Sequence, residues 1–480
     1  MGKMPLVGRI EEKNLLEKYY DTPKSEFVAV YGRRRVGKTY LIRETLGHIV
    51  DFEFSGLYQT SASVQREEFQ KELNRQRGTK EALPANWFDA FDHLREYLLT
   101  LKKDKVVVFL DELPWMDTNK SNFRTALASF WNKWGNHKPF LKLYVCGSAT
   151  TWMVDKLIGD KGGLYGRITR PIYLSPFTLS EAKQYLNNVK KMNYGDHQVL
   201  DVYMIFGGIP FYLDMFDNSL PLSVNVDRLL FAPNAPLKTE YDFLFRSLFS
   251  DSTNYRKVIE LLSKKLEGLT REEILDQSGV SGGELTRILS NLSSCDFIRN
   301  YVAPKKKERG QVYQLTDLFS LFYLRFVKHN LRLNVNYWTN IQNTGKKNAW
   351  AGYAFEQVCL HHVEQIKQKL GISGIACNIY AWKQKPFTDA DGSEWDGGQI
   401  DLIIDRSDRV INLCEMKYSN DEYSISKQYE GILRKRVSLF RYVEKTKKDL
   451  RLTFITTYGV KKNERSGIVD NEIILADLFK

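Results

Sequence analysis

Cysteine is scarce in this chain of 480 residues, and its spacing excludes two common uses of the residue. The cysteines are scattered, odd in number and never arranged as C-x-x-C: Cys146, Cys295, Cys359, Cys377 and Cys414. This pattern argues against a disulfide framework and against a structural zinc site. We therefore expect reduced thiols and a cytoplasmic location.

Long apolar runs are also missing. No window approaches the roughly 18 apolar residues of a membrane-spanning helix, and residues 1–6 lack the apolar core of a signal peptide. We expect no membrane partner. Apolar residues make up 43% and charged residues 27%, an ordinary globular balance. The net charge of +12 is compatible with nucleic acid as a partner, and equally with a lysine-rich solvated surface.

Apolar runs and helical patterns divide the chain into segments. Continuous β-branched runs at 27–31, 106–110 and 141–146 predict buried strands of a parallel sheet. A polar, aperiodic stretch about two thirds of the way along the chain predicts a linker. The predicted segments are an α/β core at 1–178, a helical lid at 179–240, a helical module with a hairpin at 241–327, the linker at 328–348 and a last α/β domain at 349–480.

The first strand runs directly into the motif G-x-x-x-x-G-K-T, and a helical pattern follows. This strand–loop–helix context is what a phosphate-binding loop requires. The glycines let backbone amides and the helix N-terminus face an anion. Lys38 is expected to reach the β- and γ-phosphates, and Thr39 to bind Mg²⁺. The predicted nucleotide contacts here are Gly32, Arg35, Val36, Gly37, Lys38, Thr39 and Tyr40.

A second motif adds acidic groups to this site. The strand at 106–110 ends in Asp111 and Glu112, at the edge where ligands bind in open α/β sheets. Asp111 is expected to hold Mg²⁺, and Glu112 to act as general base on the attacking water. Ser148, after the third strand, is a candidate sensor of the γ-phosphate or a helix cap. The sequence thus predicts an Mg²⁺-dependent P-loop NTPase.

These motifs resemble those of prokaryotic AAA+/STAND-related ATPases of the archaeal-ATPase type. The segment Val7-Gly8-Arg9 resembles the family's entry motif, which borders the adenine. The resemblance implies ATP or ADP as the nucleotide and gives these three residues a place in its binding site.

Two further segments carry the same resemblance. Leu164-Tyr165-Gly166-Arg167 is similar to a signature that supplies the arginine finger, so the resemblance implies this role for Arg167, with Arg170 as the alternative. Pro210, in Gly207-Gly208-Ile209-Pro210, resembles the lid element that borders the nucleotide. Because a finger usually acts across subunits, the resemblance points to a homo-oligomer. A monomer is the alternative, since some related enzymes are monomeric. An arginine paired with a local acid and a simple helix-ending turn are the other interpretations.

The region after the lid predicts a winged helix. Thr270-x-x-Glu273 and Ser281-x-x-Glu284 both fit the capping box that begins a helix. Two strands then flank a basic tip at 305–309, and such a tip can contact phosphate. Since Glu284 opens the second helix, a module used only for protein packing is the alternative to DNA binding.

The last domain carries a second acidic pattern. Asp401 lies in an apolar strand, while Glu415 and Lys417 share one face of the next. With Glu356 on a preceding helix, this order resembles the PD-(D/E)XK nuclease fold, which is restriction-endonuclease-like. By that resemblance Asp401 and Glu415 bind Mg²⁺, Lys417 positions or activates water, and Glu356 completes the site. The following helix carries Tyr429 and a basic run at 434–436, suited to a phosphodiester or to solvent.

The sequence therefore predicts an α/β protein with a P-loop parallel sheet, a helical lid, a winged helix and a C-terminal α/β restriction-endonuclease-like domain. The leading functional hypothesis is ATP binding and hydrolysis coupled to a nuclease-like domain that acts on DNA. The alternatives are a STAND-like signalling switch with an inactive tail, and a DNA-binding regulator that uses the winged helix.

Overall fold

The computed structural model describes residues 6–249, 251–301, 311–330 and 335–480. The chain divides into two compact units, the first formed by Met1–Pro176 with Arg246–Ser250 and the second by Phe177–Phe245 with Asp251–Lys480. Among the described residues, no helix has the length and apolar character needed to cross a membrane.

The first unit is built on a parallel five-stranded sheet of order β2-β3-β4-β1-β5. Its strands are β1 (Glu26–Tyr31), β2 (Val50–Ser55), β3 (Val106–Asp111), β4 (Leu141–Gly147) and β5 (Arg170–Tyr173). The three predicted strands correspond to β1, β3 and β4, and the P-loop sheet is confirmed. Because all pairings are parallel, the carboxyl ends of the strands meet at one edge.

Helices flank this sheet. They are α1 (Ile10–Asp21), α2 (Lys38–Leu46), α3 (Ala62–Arg77), α4 (Trp87–Thr100), α5 (Leu113–Met116), α6 (Phe123–Lys133) and α7 (Thr150–Trp152). In α4, Trp87, Phe91, Leu94 and Leu98 recur at helical spacing and are all buried. The ring of Trp87 packs edge-on against Phe123 of α6, with the centroids 4.9 Å apart. This aromatic core fixes the position of the helices that cover the sheet.

The second unit begins with helices and a small antiparallel sheet. The helices are α8 (Leu179–Gln184), α9 (Asp196–Phe206), α10 (Pro210–Asp214), α11 (Leu222–Leu230), α12 (Glu240–Leu248), α13 (Ser252–Ser263), α14 (Arg271–Ser278) and α15 (Gly282–Ser294). The strands are β6 (Leu269–Thr270), β7 (Ile298–Tyr301) and β8 (Val312–Leu315), in the order β6-β8-β7. We call α13 to α15 with β6 to β8 the helix–sheet module. The basic tip predicted at 305–309 lies outside the described residues.

Of the two capping boxes predicted in this module, one forms. The Thr270 hydroxyl accepts from the Glu273 amide at 3.3 Å, and the Glu273 carboxylate accepts from the Thr270 amide at 2.7 Å. At α15, Ser281 makes no such side-chain bond. Glu284 instead accepts from the side chain of Asn254 at 2.8 Å. Glu284 thus bonds a residue of α13 and does not complete a capping box at the start of α15.

Much of the stretch predicted as a linker, 328–348, packs against the rest of the second unit. It contains α17 (Tyr337–Asn340), which follows α16 (Leu318–Phe322). The Asp227 carboxylate accepts from the backbone amides of Trp338 and Thr339 at 2.7 and 2.9 Å. The Trp338 ring also packs edge-on against Trp350, with the centroids 5.4 Å apart. The polar composition of this segment predicted a linker without tertiary contacts. These contacts instead attach the segment to its own unit.

The last domain is a mixed five-stranded sheet of order β15-β14-β13-β12-β9 with helices around it. The sheet's strands are β9 (Cys377–Gln384), β12 (Gly398–Arg406), β13 (Val410–Lys417), β14 (Asp449–Thr456) and β15 (Asn471–Ile474), and β10 (Phe387–Thr388) pairs with β11 (Glu394–Trp395). The helices are α18 (Gly345–His361), α19 (Val363–Lys369) and α20 (Lys427–Glu444). α18 packs against β13, and α20 buries Leu439 and Phe440 in the sheet's core.

Candidate functional site

The loop between β1 and α2 leaves the carboxyl edge of the first sheet. Gly32 has a φ of +143°, and a Cβ added there would lie 2.4 Å from the carbonyl oxygen of Leu174, so no side chain fits. Gly37, with a φ of +93°, caps α2 and has no side chain to satisfy the first amides of that helix. The N-terminus of α2 therefore has no side-chain cap from Gly37, and a helix N-terminus of this kind attracts anions.

Lys38 lies in the first turn of α2 and points its ammonium back into the loop. Its side chain is buried, and Nζ donates to the carbonyl oxygens of Gly32 and Arg33 at 3.1 and 3.0 Å. Burial lowers the pKa of this ammonium, while Cys146 and Glu112 act in the opposite direction. The positive group therefore sits where a phosphate bound by the loop would meet it.

Asp111, at the end of β3, gathers donors from three neighbouring elements. Thr39 Oγ1 lies 3.0 and 3.1 Å from its two carboxylate oxygens, and Ser55 Oγ donates at 3.2 Å. Cys146 Sγ donates at 2.5 Å, and burial raises the pKa of this thiol. A hydroxyl and a carboxylate side by side are the hard oxygen ligands that Mg²⁺ prefers. Thr39 and Asp111 therefore fit a magnesium ion.

Glu112 is held by Ser148. The Ser148 hydroxyl donates to both carboxylate oxygens of Glu112 at 2.6 and 2.7 Å, and the Ser148 amide donates at 3.1 Å. The cap residue of α7 is Ala149, so the Ser148 hydroxyl serves the acidic residue and not the helix. Because β4 lies between β1 and β3, this pair is placed next to the phosphate loop.

The predicted entry segment lies beside the loop as well. Gly8 and Arg9 have φ values of +61° and +57°, and Val7 and Arg9 are buried. One Arg9 nitrogen donates to the carbonyl oxygen of Ser175 at 2.7 Å. Ser175 follows the residue whose carbonyl closes over Gly32, so the entry segment borders the loop through the end of β5.

The other predicted nucleotide contacts lie in the phosphate loop, on α2 and in the second unit. Arg35 has a φ of +71° within the loop, Val36 is buried, and Tyr40 is exposed on α2. Pro210 begins α10 in the second unit.

The two finger candidates lie at the opposite edge of the sheet. Arg170 begins β5 and pairs with Val28 near the start of β1. The amide of Thr169 donates to the carbonyl of Phe27 at 2.9 Å, which places Arg167 beyond that same end. Both arginines are exposed. The phosphate loop leaves the other end of β1, so these side chains do not share an edge with the loop of their own chain.

Comparison with known proteins agrees with this geometry. Residues 6–216 match the family described as an ATPase domain predominantly from Archaea. This match, with the phosphate loop, supports an archaeal-type P-loop ATPase that binds and hydrolyses ATP.

Two relatives come from Methanocaldococcus jannaschii. An uncharacterized protein is 25% identical over 436 residues, which are 89% of this chain and 91% of the relative. An uncharacterized ATP-binding protein is 44% identical over 45 residues, which are 9% of this chain and 76% of the relative.

The solved structures to which this chain is similar include a Walker-type ATPase of Pyrococcus abyssi. The TM-score is 0.48 at 20% identity, and the match covers 67% of this chain and 96% of the other. An ORC2 protein of Aeropyrum pernix, solved in ADPNP–ADP complexes, has a TM-score of 0.41, 14% identity, and coverage of 69% and 96%. These identities are too low to transfer a function to this chain.

The second unit holds the other predicted site residues. In the antiparallel pairing of β12 with β13, Leu402 lies opposite Cys414, so the next position places Asp401 opposite Glu415. Glu356 comes from α18, which packs on β13. The structure thus brings the three predicted acids together from three elements; we call them the carboxylate cluster.

Three side chains bind Glu415 directly. Lys417 Nζ and an Arg436 guanidinium nitrogen lie 2.7 and 2.5 Å from its oxygens, and the Tyr429 hydroxyl also donates to it. Burial alone would raise the pKa of Glu415, but Lys417 and Arg436 hold it below its ordinary value. This carboxylate is therefore ionised, and its charge is balanced by cations of the protein.

The other two acids behave differently. Burial and the neighbouring charge of Asp401 raise the pKa of Glu356 to about 8, so this side chain is mostly protonated at neutral pH. Burial also raises the pKa of Asp401, whose oxygen accepts from Gln399 Nε2 at 2.6 Å. Within the described residues, no three acidic, histidine or cysteine side chains are grouped so that they could hold a metal ion. Protein cations and protonation thus reduce the negative charge that the carboxylate cluster offers to a divalent cation. The magnesium site at Asp401 and Glu415 stays a prediction.

Several contacts in these sites were not predicted as site contacts. Ser55 and Cys146 reach Asp111 only because β2 and β4 flank β3, and the sequence carries no signal for that strand order. Of the basic run on α20, Arg436 binds Glu415, while Arg434 pairs with Glu430 at 2.8 Å. The run is thus engaged with acids of its own domain.

Proposed function

We propose that the first unit is an Mg²⁺-dependent ATPase in which Glu112 activates the attacking water. The observation that supports this most is the alignment, at one sheet edge, of the phosphate loop with Lys38, the Thr39–Asp111 pair and Glu112. Thr39 and Asp111 would hold magnesium, which neutralises phosphate charge when bound. Lys38 would exchange its loop carbonyls for phosphate oxygens.

Ser148 gives this site a means to sense the nucleotide. Its hydroxyl bonds both oxygens of Glu112, so the base is occupied while that bond lasts. We propose that a γ-phosphate competes for the Ser148 hydroxyl and releases Glu112 to accept a proton from water. The hydroxyl would thereby couple the presence of the third phosphate to activation of the base.

Arg167, with Arg170 as the alternative, would then act on a neighbouring copy. Both lie at the edge away from their own phosphate loop, so a finger role requires a homo-oligomer in which this edge faces the loop of the next chain. Positive charge supplied there would stabilise the departing phosphate.

The test of the ATPase proposal is Glu112→Gln, assayed for MgATP affinity by calorimetry and for phosphate release. The amide keeps the shape but cannot take a proton, so affinity should be retained while turnover falls by about 100-fold or more. Glu44→Gln, on the same unit's α2, is the matched control and should turn over like the wild type. Loss of binding in the Glu112 variant would contradict its assigned role.

We also propose that the last domain is nuclease-like and acts on DNA. Asp401, Glu415 and Lys417 would be its catalytic residues, and Glu356 would complete the site. The supporting observation is the strand register that opposes the two acids, with the Lys417 ammonium 2.7 Å from Glu415. The resemblance to the PD-(D/E)XK nuclease fold implies that these carboxylates and this ammonium serve phosphodiester hydrolysis. The helix–sheet module, a predicted winged helix, would contribute contacts to DNA or to the protein.

This second proposal is tested by incubating the full chain with plasmid, ATP and Mg²⁺ or Mn²⁺. Lys417→Ala should abolish nicking, while Lys462→Ala, an exposed lysine of the same domain, should not. Equal cleavage by wild type and Lys417→Ala would sink the assignment. No cleavage at all, with an ATP-dependent change in particle size, would favour the signalling switch.

A further inference from the structure

A chain of hydrogen bonds connects the helix–sheet module to α18, the helix that carries Glu356 of the carboxylate cluster. Arg299 of β7 lies opposite Gln314 of β8, and its Nε donates to Gln314 Oε1 at 2.8 Å. Gln314 is buried, and its Nε2 donates to the Tyr353 hydroxyl oxygen at 3.3 Å. Tyr353 precedes Glu356 by three residues on α18, so the two lie on one helix face. The chain therefore joins β7 to the helix that carries one of the clustered acids.

Two other contacts join the module to the same domain. The Tyr353 hydroxyl donates to the carbonyl of Leu266 at 3.2 Å, just before β6. Lys383 of β9 pairs with Glu267 at 3.8 Å. The module is thus attached at both α18 and β9, the elements that border the strands of the carboxylate cluster.

Arg299 adds a cation to the carboxylate cluster. Burial, the largest influence, raises the pKa of both Asp401 and Glu356, and the charge of Arg299 partly opposes that rise at each. Lys417 and Arg436 bind the remaining acid directly. Lys417 and Arg436 thus contact Glu415, while Arg299 acts on Asp401 and Glu356 through its charge. Of these three cations, Arg299 comes from outside the last domain.

We infer that the helix–sheet module caps the carboxylate cluster and keeps it closed, with Arg299 supplying positive charge that a divalent cation would otherwise bring. The inference rests on the proposed nuclease-like role of the last domain. It is in line with the finding that, in the part of the chain that the structure describes, no three acidic, histidine or cysteine side chains are grouped to hold a metal ion.

The physical consequence is competition between Arg299 and a metal ion. A divalent cation must overcome repulsion from the guanidinium or displace it, and displacement breaks the bond to Gln314. Withdrawal of the module would remove the repulsion and expose the acids together. Any movement that pulls β7 away from α18 would then let a metal ion bind the acids.

The test compares the full-length wild type with Arg299→Gln and Gln314→Leu. The first removes the cation, and the second removes the acceptor that orients it. Mn²⁺ binding without nucleotide is measured by electron paramagnetic resonance, and plasmid nicking is measured in parallel. Both variants should bind Mn²⁺ about tenfold more tightly than the wild type, because a nearby like charge is removed or released. Arg451→Ala, an exposed arginine of β14, is the control, and Arg299→Gln/Asp401→Asn should lose the gain.

The two readouts separate this inference from the nuclease proposal. Tighter Mn²⁺ binding with no nicking in any variant supports capping and removes the nuclease role. Nicking by the wild type at the rate of both variants, with unchanged Mn²⁺ affinity, overturns capping and leaves the nuclease role standing. A lower melting temperature without a gain in Mn²⁺ affinity in either variant also overturns capping, because Arg299 is then only a structural contact.

Discussion

The two carboxylate sites of this chain differ in what balances their charge. At the phosphate loop, Asp111 and Glu112 accept hydrogen bonds from hydroxyl, thiol and amide groups. In the second unit, Glu415 instead contacts the ammonium of Lys417 and the guanidinium of Arg436. Neutral donors leave negative charge available to an incoming cation, whereas bound cations cancel it. The first site is therefore arranged to receive a metal–phosphate complex, whereas in the second site the protein's own cations balance the charge of Glu415.

The largest effect should come from Lys38→Ala. Its ammonium would bond the phosphates, and loss of a charged hydrogen-bonding partner should weaken MgATP binding by about 100-fold, or roughly 3 kcal/mol. Isothermal calorimetry measures this directly, and Lys71→Ala on the exposed face of α3 is the control. Lys417→Ala should leave the affinity unchanged, so a comparable loss there would break the distinction between the sites.

The second unit should lose stability in acid through His362. This buried ring accepts from the Leu179 amide at 3.0 Å, its Nδ1 lies 2.7 Å from the Val358 carbonyl, and burial lowers its pKa to about 4. Since the unfolded value is about 6.5, the unfolded chain binds the extra proton first. Stability should therefore fall as pH drops from about 6.5 to 4, by up to about 3 kcal/mol.

His362→Gln checks this expectation, because glutamine keeps a neutral acceptor and donor but does not titrate there. Thermal denaturation between pH 4 and 7 should show a flatter pH dependence for this variant than for the wild type or for His48→Gln, which changes an exposed histidine of the first unit. Parallel curves for all three proteins would show that His362 is not responsible.

The variants Glu415→Gln and Glu112→Gln should differ in the stability that each loses, by less than the effects described above. The first leaves Lys417 and Arg436 without their shared anion, which should cost about 2 kcal/mol because both cations are partly exposed. The second replaces an acceptor whose partners are neutral and should cost less than about 1 kcal/mol. Melting temperatures report the difference, and equal shifts would mean that the cations contribute little to holding the cluster.

Ser148→Ala should have the smallest effect. Its hydroxyl is proposed to couple the γ-phosphate to Glu112, so turnover should fall by about tenfold while MgATP affinity changes little. Phosphate release at saturating ATP measures this change. Thr150→Ala, two residues further along, is the control, and a Ser148 variant with normal turnover would remove the sensing role.

The first site was largely predictable because its chemistry is local. Gly32, Lys38 and Thr39 lie in one short motif, and Asp111 follows an apolar run that could only be a buried strand. The contacts of Ser55 and Cys146 were not predictable, since they depend on which strands become neighbours. β2 was missed because its run at 50–55 alternates acidic and apolar residues.

At the second site, the sequence predicts the acidic residues but not the cation that comes from another module. Asp401 and Glu415 stand out as charged residues in apolar strands, but nothing local marks Arg299 as their neighbour from another module. The packing of the stretch at 328–348 could not be predicted for a related reason. Its polar composition indicated a linker, yet the carboxylate of Asp227, more than a hundred residues earlier, binds the backbone amide of Trp338.

The most direct test of the account is calorimetry of ATP, with and without Mg²⁺, into the wild type and Asp111→Asn. The account predicts tight binding to the wild type that weakens when Mg²⁺ is removed, and much weaker Mg²⁺ dependence in the variant because half of the Thr39–Asp111 pair is altered. No heat from the wild type at millimolar MgATP, or an unchanged Mg²⁺ dependence in the variant, would contradict it.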